Sequence, residues 1–218
     1  MARERSRVKR RTYRSTVRAE AAVETRHRIL DAAHELFVRQ GYDAMTMHAV
    51  AERAEVALDT VYEVVGKKPL LARLLVETAI SRTGHVIPAE ERDYVRRIQA
   101  EPDARTKLAI YAGAVVAIHG RLAPLVRALE GAAARHPELA AMWREIAERR
   151  ARNMRLFASS LAATGATRAD LTVERIADIV WGLAAPEVYL LFVEQRRWSP
   201  ADFESFLREA WERLLLAS

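Results

Sequence analysis

The chain has 218 residues, of which half are apolar, and it carries a formal net charge of +6. It contains no cysteine, which excludes a disulfide framework and a thiolate metal site. No apolar run reaches the roughly 18–20 residues of a membrane-spanning helix, and the basic N-terminus lacks the apolar stretch of a secretory signal. These properties indicate a cytoplasmic protein with two small domains or one elongated domain and no membrane partner.

The positive charge is concentrated at the N-terminus. Residues 1–18 hold eight Arg and Lys side chains and one acid, whereas the remaining 200 residues carry 27 basic and 28 acidic side chains. Residues 1–22 are therefore predicted to form a basic arm. Such an arm binds the phosphates of DNA by releasing counterions, here through Arg10, Arg11 and Arg14, or it is only a solvated tail.

A helix-turn-helix follows the arm. Apolar residues at helical spacing first form one stripe, which Gly41 ends. Thr46 is placed to cap a short helix that runs to Ala54, and a second short helix follows after about three residues. This arrangement predicts a helix-turn-helix over 46–65, with the second short helix entering the major groove.

The rest of the chain is rich in Ala, Leu, Arg and Glu, and it also predicts helices. Glycines and prolines divide this region into its elements. The expected helices cover 68–83, a segment from Ile87, 108–119, 121–135, 137–163, a segment from Thr172 with a break at Pro186, and Ser199 to Leu216. The fold is therefore predicted to be all-α, with a second helical domain over 84–218.

The order and spacing of a set of residues in the N-terminal domain resemble those of the tetracycline-repressor (TetR) family. The set comprises residues 29–42, Thr46, Val50, Ala51, Ala54, Val56, Thr60, Val61, Tyr62 and Lys68. The resemblance implies a homodimeric transcriptional regulator, usually a repressor that a small-molecule effector releases from a palindromic operator, with no cofactor. The resemblance covers about residues 23–83, which it implies are the DNA-binding domain. It also implies that the second helical domain binds the effector and forms the dimer.

The resemblance assigns roles to individual residues of the DNA-binding domain. Thr46 is expected to cap the first motif helix and to contact a phosphate, and Lys68 is expected to contact another. Thr60 and Tyr62 match positions that contact the DNA backbone or base edges. The complete predicted DNA-binding set is Arg10, Arg11, Arg14, Thr46, Leu58, Asp59, Thr60, Tyr62, Lys67 and Lys68.

The sequence departs from the family pattern in and beside the predicted recognition helix. Glu55 stands where the family usually has glycine, and a left-handed conformation there would cost roughly 1 kcal/mol. Ala57 replaces the usual Ser or Thr cap, which forfeits about 1 kcal/mol. Val65 replaces a common aromatic residue. Asp59 either accepts a hydrogen bond from cytosine N4 or repels phosphate, and Glu63 is expected to face solvent.

Two further groups of residues are candidates for an effector cavity and for a dimer interface, and ordinary core packing is the alternative for both. The cavity candidates are Tyr111, His119, Trp143, Met154, Phe157, Trp181 and Tyr189. The interface candidates are Val188, Phe192, Phe203, Phe206, Leu207, Trp211 and Leu214.

Other functions are weaker alternatives. One is a constitutive or architectural DNA-binding protein without an effector, and another is a helical enzyme or small-molecule carrier with a decayed DNA-binding motif. His27, Asp31, His34 and Glu35 share one helix face, but that face is expected to be polar because the opposite face is buried. We predict no catalytic residue and no metal site.

Overall fold

The computed structural model describes residues 2–83 and 87–217, with side chains from Glu20 onward. The chain divides into two compact units, Met1–Leu75 and Val76–Ser218. The division lies earlier than the boundary predicted between residues 83 and 84, within the helix Lys68–Ser81 (α4). Glu77 explains the difference, because it pairs with a side chain of the C-terminal unit.

The N-terminal unit consists of helices packed around a small apolar core. Its elements are α1 (Ala2–Ala44), α2 (Met47–Ala54), α3 (Leu58–Val65) and the first half of α4. Gly41 interrupts the helical backbone of α1 with a φ of 77°, as the glycine at this position predicted. The boundary predicted at residue 22 lies inside α1, whose backbone is helical from Ala2.

Local capping explains where α2 and α3 begin and end. The Thr46 hydroxyl accepts a hydrogen bond from the Ala49 amide at 3.0 Å, which confirms the predicted cap. Glu55 ends α2 in the left-handed conformation, with φ 55° and ψ 48°, as its glycine-like position predicted. Ala57 makes no side-chain hydrogen bond at the start of α3, as expected for alanine.

The C-terminal unit is also helical throughout its described residues, apart from turns and an isolated bridge between Thr167 and Leu216. A short 3₁₀ turn precedes its first complete helix. The elements are the 3₁₀ turn Ala89–Glu91, α5 (Asp93–Ala100), α6 (Ala104–Ala133), α7 (Pro137–Ala162), α8 (Val173–Leu183), α9 (Pro186–Tyr189) and α10 (Pro200–Leu215).

The long helix α6 corrects the sequence analysis, which predicted two helices separated at Gly120. The helix continues through Gly120 and Pro124, because the residues around the proline are buried and held by packing. Its length and hydropathy would allow α6 to span a membrane, but many of its residues are buried in the core of this unit.

The C-terminal helices follow the predicted signals more closely. Thr172 caps α8, and Ser199 and Asp202 form a reciprocal capping box at the start of α10. The break predicted at Pro186 separates α8 from α9, and the helical segment Pro186–Gln195 is bent by 42° relative to α8. After α9 the chain continues as a π-helical turn, Leu190–Gln195.

Candidate nucleic-acid interface and ligand cavity

The helix α3 has one buried side and one exposed side. Leu58, Asp59 and Tyr62 are exposed, and 45% of Tyr62 is accessible. Val61 is completely buried on the opposite side. Thr60 lies between these two sides and is half-buried. The four predicted recognition residues therefore lie on the accessible part of a helix whose other side anchors it in the unit.

Two arginines of α1 hold the ends of the motif helices. Arg26 Nη1 donates a hydrogen bond to the carbonyl of Val64 at 2.8 Å, and Arg28 Nη1 donates to the carbonyl of Ala54 at 3.3 Å. These carbonyls lie in the last turns of α3 and α2, where a cation is favoured by the helix dipole. This role could not be predicted from the sequence, since it depends on how α1 packs across the motif.

The predicted phosphate-contacting lysines occupy different environments. Lys67 is exposed. Lys68 is half-buried, because its Nζ donates to the carbonyl of Asp43 at 3.2 Å and lies 4.5 Å from the centre of the Tyr42 ring. Burial lowers the pKa of Lys68. Within this unit Lys68 therefore connects the start of α4 to the end of α1.

Two other sets of residues in α1 were considered in the sequence analysis: the arginines of the basic arm and the polar face considered for a metal. The side chains of Arg10, Arg11 and Arg14 lie outside the described residues. Glu35, on the polar face considered for a metal, instead accepts a hydrogen bond from Arg53 Nε at 2.9 Å, and this bond lowers the pKa of Glu35. The described residues contain no cluster of three or more acidic, histidine or cysteine side chains suited to a metal ion.

A cavity of about 570 Å³ lies within the C-terminal unit. Its walls come mainly from α5, α6, α7 and α8, with Ile80 of α4 at one edge. Most of the lining is aliphatic or aromatic, which suits a small molecule with an apolar body. Six of the predicted cavity residues line it: Tyr111, His119, Trp143, Met154, Phe157 and Trp181.

Two polar side chains of the cavity lining contact the carbonyl of Ala184, the residue after α8. This oxygen lies 3.0 Å from His119 Nε2, and it accepts a hydrogen bond from Arg150 Nη1 at 2.8 Å. Burial lowers the pKa of His119 to about 4, so the ring is neutral at pH 7. Nε2 must then hold the ring proton, since a carbonyl only accepts.

The neutral form of His119 leaves Nδ1 as an acceptor. Nδ1 is buried, and no described residue hydrogen-bonds to it. The ring is only 5% exposed. A buried polar atom without a partner is uncommon and destabilising, so this nitrogen is a candidate contact for a bound molecule.

Tyr111 and Phe157, two aromatic residues of the cavity lining, belong to a cluster of packed rings. The Tyr111 ring lies 4.9 Å from the Phe157 ring and 5.5 Å from the Trp211 ring, measured between centroids. The Tyr111 hydroxyl contacts Met154 Sδ at 3.1 Å. Burial raises the pKa of Tyr111, so this group is a neutral phenol.

Tyr189 does not belong to the cavity lining, which corrects the prediction for that residue. Its ring lies 5.6 Å from His119 and 5.4 Å from Phe203, and Tyr189 is only 4% exposed. Tyr189 therefore packs against His119 and Phe203 and does not face the cavity. Helical spacing identified the aromatic residue but not the side of the helix that faces the empty space.

The residues predicted for a dimer interface separate into two groups. Phe203, Leu207 and Trp211 have no exposed surface, so the prediction that they face a partner is wrong. They form the inner side of α10 and pack in the core of their own chain. The residues that retain accessible surface are Val188, Phe192 and Phe206, which are half-buried, and Leu214, which is exposed.

An aromatic cluster extends the accessible group. The Phe192 ring lies 4.6 Å from the Trp198 ring and 5.0 Å from the Phe206 ring. Trp198 and Leu191 are exposed, by 37% and 46%. Trp198 was not among the residues predicted from the sequence for this surface. Trp198 precedes the capped start of α10, and Leu191 lies in the π-helical turn, whose spacing differs from that of an α-helix.

Comparison with known proteins gives one family for the motif and one fold for most of the chain. A family model described as bacterial regulatory proteins of the tetR family matches residues 29–63. The HTH-type transcriptional repressor KstR of Mycolicibacterium smegmatis is 50% identical over 48 residues, which cover 22% of this chain. The matched stretch spans only 24% of that repressor.

Solved structures are similar over most of the chain. NalD of Pseudomonas aeruginosa, described as the secondary repressor of the MexAB-OprM multidrug efflux pump, has a TM-score of 0.70 at 18% identity, with 91% of this chain and 99% of that chain covered. A protein from Saccharomonospora viridis in complex with choline has a TM-score of 0.67 at 18% identity, with 89% and 99% covered. Residues 29–63 therefore match the tetR family of bacterial regulatory proteins, and the similar solved structures show that the chain shares their fold.

Proposed function

We propose that this protein is a cytoplasmic homodimeric transcriptional regulator that represses genes by binding a palindromic operator. In this proposal α3 enters the major groove, and a small molecule in the cavity releases the protein from DNA. The observation that carries the proposal is the combination, in one chain, of an exposed recognition helix and a large apolar cavity with an unpartnered polar atom.

Sequence recognition is assigned to the exposed side of α3. Leu58 offers an apolar contact to a thymine methyl group, and Thr60 and Tyr62 offer hydroxyl groups to base edges or phosphates. Asp59 either reads a cytosine or repels phosphate. The bonds from Arg26 and Arg28 support this assignment, because a recognition helix must be held rigidly to select one sequence.

Contacts with the DNA phosphates are assigned to other residues, at the edges of the motif. The exposed Lys67 and the hydroxyl of Thr46 are available to phosphates, while Lys68 contributes charge close to them. The basic arm adds Arg10, Arg11 and Arg14 by its composition. Since the chain after residue 18 carries a small net negative charge, the arm supplies the positive excess that favours DNA.

A dimer is proposed because one short helix contacts too few base pairs to select a single genomic site. A twofold symmetric dimer doubles these contacts and requires a palindromic operator. The accessible apolar residues Val188, Phe192, Phe206 and Leu214, with the neighbouring Trp198, form the surface that we assign to the partner. Aromatic residues with partial exposure are typical of such interfaces.

Control by a small molecule is proposed from the cavity and from its connection to α4. The protein from Saccharomonospora viridis with a similar fold was crystallised with choline, which supports a ligand site in this architecture. In this chain Arg149 of α7 lines the cavity and pairs with the buried Glu77 of α4 at 2.6 Å.

A second bond joins α4 to the same unit. Arg121 of α6 donates to the carbonyl of Ala79 at 2.9 Å. A molecule that displaces α6 or α7 would therefore also displace α4. The first residue of α4, Lys68, belongs to the DNA-binding unit. Its effect is limited to the difference in its affinity for the DNA-bound and released conformations.

The cavity also favours this function over an architectural DNA-binding protein. A constitutive protein needs no effector, and its helices would be expected to pack without a space of about 570 Å³. An enzyme or carrier with a decayed motif is favoured by no specific observation, because the exposed side of α3 keeps the residue types that contact DNA.

The test is selection of genomic DNA fragments by the purified full-length protein, followed by measurement of its affinity for the selected site. We expect Thr60→Ala to weaken operator binding by about 1–3 kcal/mol and to leave binding to unrelated DNA unchanged. Glu63→Ala is the matched control on the same helix, and we expect it to have little effect. Recovery of no common sequence, or equal operator affinity in the Thr60 variant, would contradict the proposed recognition surface.

A further inference from the structure

The charge of the cavity restricts the chemical class of the molecule that binds there. Arg150 lines the cavity, and its guanidinium lies 4.5 Å from the centre of the Trp181 ring. Its only hydrogen bond to a described residue goes to the carbonyl of Ala184, and it forms no ion pair with one. Since a guanidinium has five N–H donors, most of its donors are available to a ligand.

A second cation lines the same cavity. Arg92 also lines the cavity, and its Nε is buried without a partner among the described residues. Its Nη2 donates to the carbonyl of Ile87 at 3.3 Å. The charges of Arg150 and Arg92 both act on Tyr111, where they oppose the effect of burial on its pKa. The two arginines therefore contribute positive potential to one region of the cavity.

The other charged groups of the lining do not cancel this potential. Arg149 is neutralised by Glu77, with which it pairs. Glu90 and Glu187 also line the cavity, and the charge of Glu187 partly opposes the lowering of the Arg150 pKa by burial, but both carboxylates are exposed, so water weakens their effect. Arg150 is half-buried, and burial lowers its pKa, which reflects the cost of holding this cation away from water. An anion would reduce that cost.

A cationic ligand is disfavoured by the same geometry. Tryptophan rings can bind an ammonium group through their faces, and Trp143 and Trp181 both line this cavity. The guanidinium of Arg150 already lies over the Trp181 ring. A ligand ammonium at that ring would therefore meet a like charge.

We propose that the effector is an amphipathic carboxylic acid, whose carboxylate binds the free N–H groups of Arg150 and whose apolar body fills the aromatic part of the cavity. Arg92 supplies a second positive charge. A hydroxyl or N–H group on the same molecule donates to His119 Nδ1. This inference rests on the proposed function, since it names the class of molecule that controls the regulator.

The test compares three probes that share one apolar body and differ in charge: 4-phenylbutanoate, its primary amide and 4-phenylbutylamine. Binding to the full-length protein is followed by the melting temperature and by intrinsic tryptophan fluorescence, to which Trp143 and Trp181 of the cavity lining contribute. We expect the acid to bind at least about tenfold more tightly than the amide, because a carboxylate on a guanidinium forms charge-assisted hydrogen bonds. We expect the amine to bind most weakly.

Variants assign the preference to one residue. Arg150→Gln should reduce acid binding at least about tenfold and change amide binding less than about twofold. Arg152→Gln removes an exposed arginine from the same helix, and it should leave the preference intact. Arg150→Lys retains the positive charge and should retain part of the preference, which keeps the test decisive if the glutamine variant does not fold.

The outcomes separate the inference from the proposed function. Equal or tighter binding of the amide or amine, or binding of none of the three probes, overturns the inference. Operator affinity of the same protein is measured with and without 4-phenylbutanoate. If the acid binds through Arg150 but operator affinity is unchanged, the inference stands and effector control fails.

Discussion

The two units differ in where their candidate sites lie relative to the core of each unit. In the N-terminal unit the site is an outer surface, with Tyr62 exposed while Val61 on the same helix is completely buried. In the C-terminal unit the site is an interior space, with the buried His119 beside it. A surface site is defined by which residues point outward, whereas an interior site is defined by which buried residues fail to fill the core. The second property depends on the packing of several helices at once.

The largest expected change in stability comes from the buried side of α10. Trp211 has no exposed surface and lies 5.5 Å from Tyr111, ring centroid to ring centroid. We expect Trp211→Ala to lower the free energy of unfolding by about 3–5 kcal/mol, because it removes a large buried ring and leaves a void. Urea denaturation followed by circular dichroism measures this change.

Phe206 provides the matched comparison on the same helix. Since Phe206 is half-buried within one chain, we expect Phe206→Glu to remain folded but to become monomeric and to lose tight operator binding. Light scattering and an operator-binding assay on the same sample check both outcomes. A folded Phe206→Glu dimer, or a monomeric wild type that binds the operator tightly, would contradict the proposed interface.

The contrast between the units also explains what the sequence revealed. The elements of the N-terminal motif depend on local signals, such as the Thr46 cap and the glycine at position 41, and these were predicted correctly. The bonds of Arg26 and Arg28 to helix ends were missed, because they join residues far apart in sequence. Local chemistry defines the helices, and tertiary packing defines the partners of long side chains.

Prediction was less complete in the C-terminal unit for the same reason. Gly120 is a local signal for a helix end, but packing keeps α6 continuous through it. The apolar stripe of α10 predicted burial without identifying the covering surface, and Phe203 and Trp211 were consequently assigned to a partner. The candidate residues for the effector site were chosen by size and polarity; six of them line the cavity, whereas Tyr189 does not.

The next largest effect tests the buried histidine of the cavity. Burial lowers the pKa of His119 to about 4, from an ordinary value of 6.5, while its bond to Ala184 has the opposite effect. The unfolded chain therefore binds a proton at a higher pH than the folded protein. The stability contribution is complete above pH 6.5 and is lost as the pH falls from 6.5 towards 4, by about 2 kcal/mol at pH 5.

His119→Gln isolates this contribution, because glutamine does not titrate and its amide can still donate to the Ala184 carbonyl. We expect the wild type to lose about 2 kcal/mol more stability than the variant between pH 7.5 and pH 5. Urea midpoints at the two pH values supply the comparison. Parallel losses in the two proteins would mean that His119 is protonated in the folded state.

A smaller effect is expected on the exposed helix of the N-terminal unit. Asp59 lies in the first turn of α3 and is exposed. We expect Asp59→Asn to increase affinity for all DNA sequences by about 1 kcal/mol, because it removes repulsion from nearby phosphates. Titrations with operator and unrelated DNA measure it, with Glu63→Gln as the control. A changed preference at one base position would instead assign Asp59 to a cytosine.

The smallest expected effect concerns the turn between α2 and α3. Glu55 has a left-handed backbone, and its amide bonds to the carbonyls of Ala51 and Glu52. Glutamate is strained there by roughly 1 kcal/mol, which glycine would relieve, although glycine also increases the freedom of the unfolded chain. We therefore expect Glu55→Gly to raise the free energy of unfolding by about 0.5 kcal/mol. Glu55→Ala removes the same charge but keeps the Cβ atom, so it should give no such gain. If both variants are stabilised equally in urea denaturation, the effect comes from the lost carboxylate and the turn is not strained.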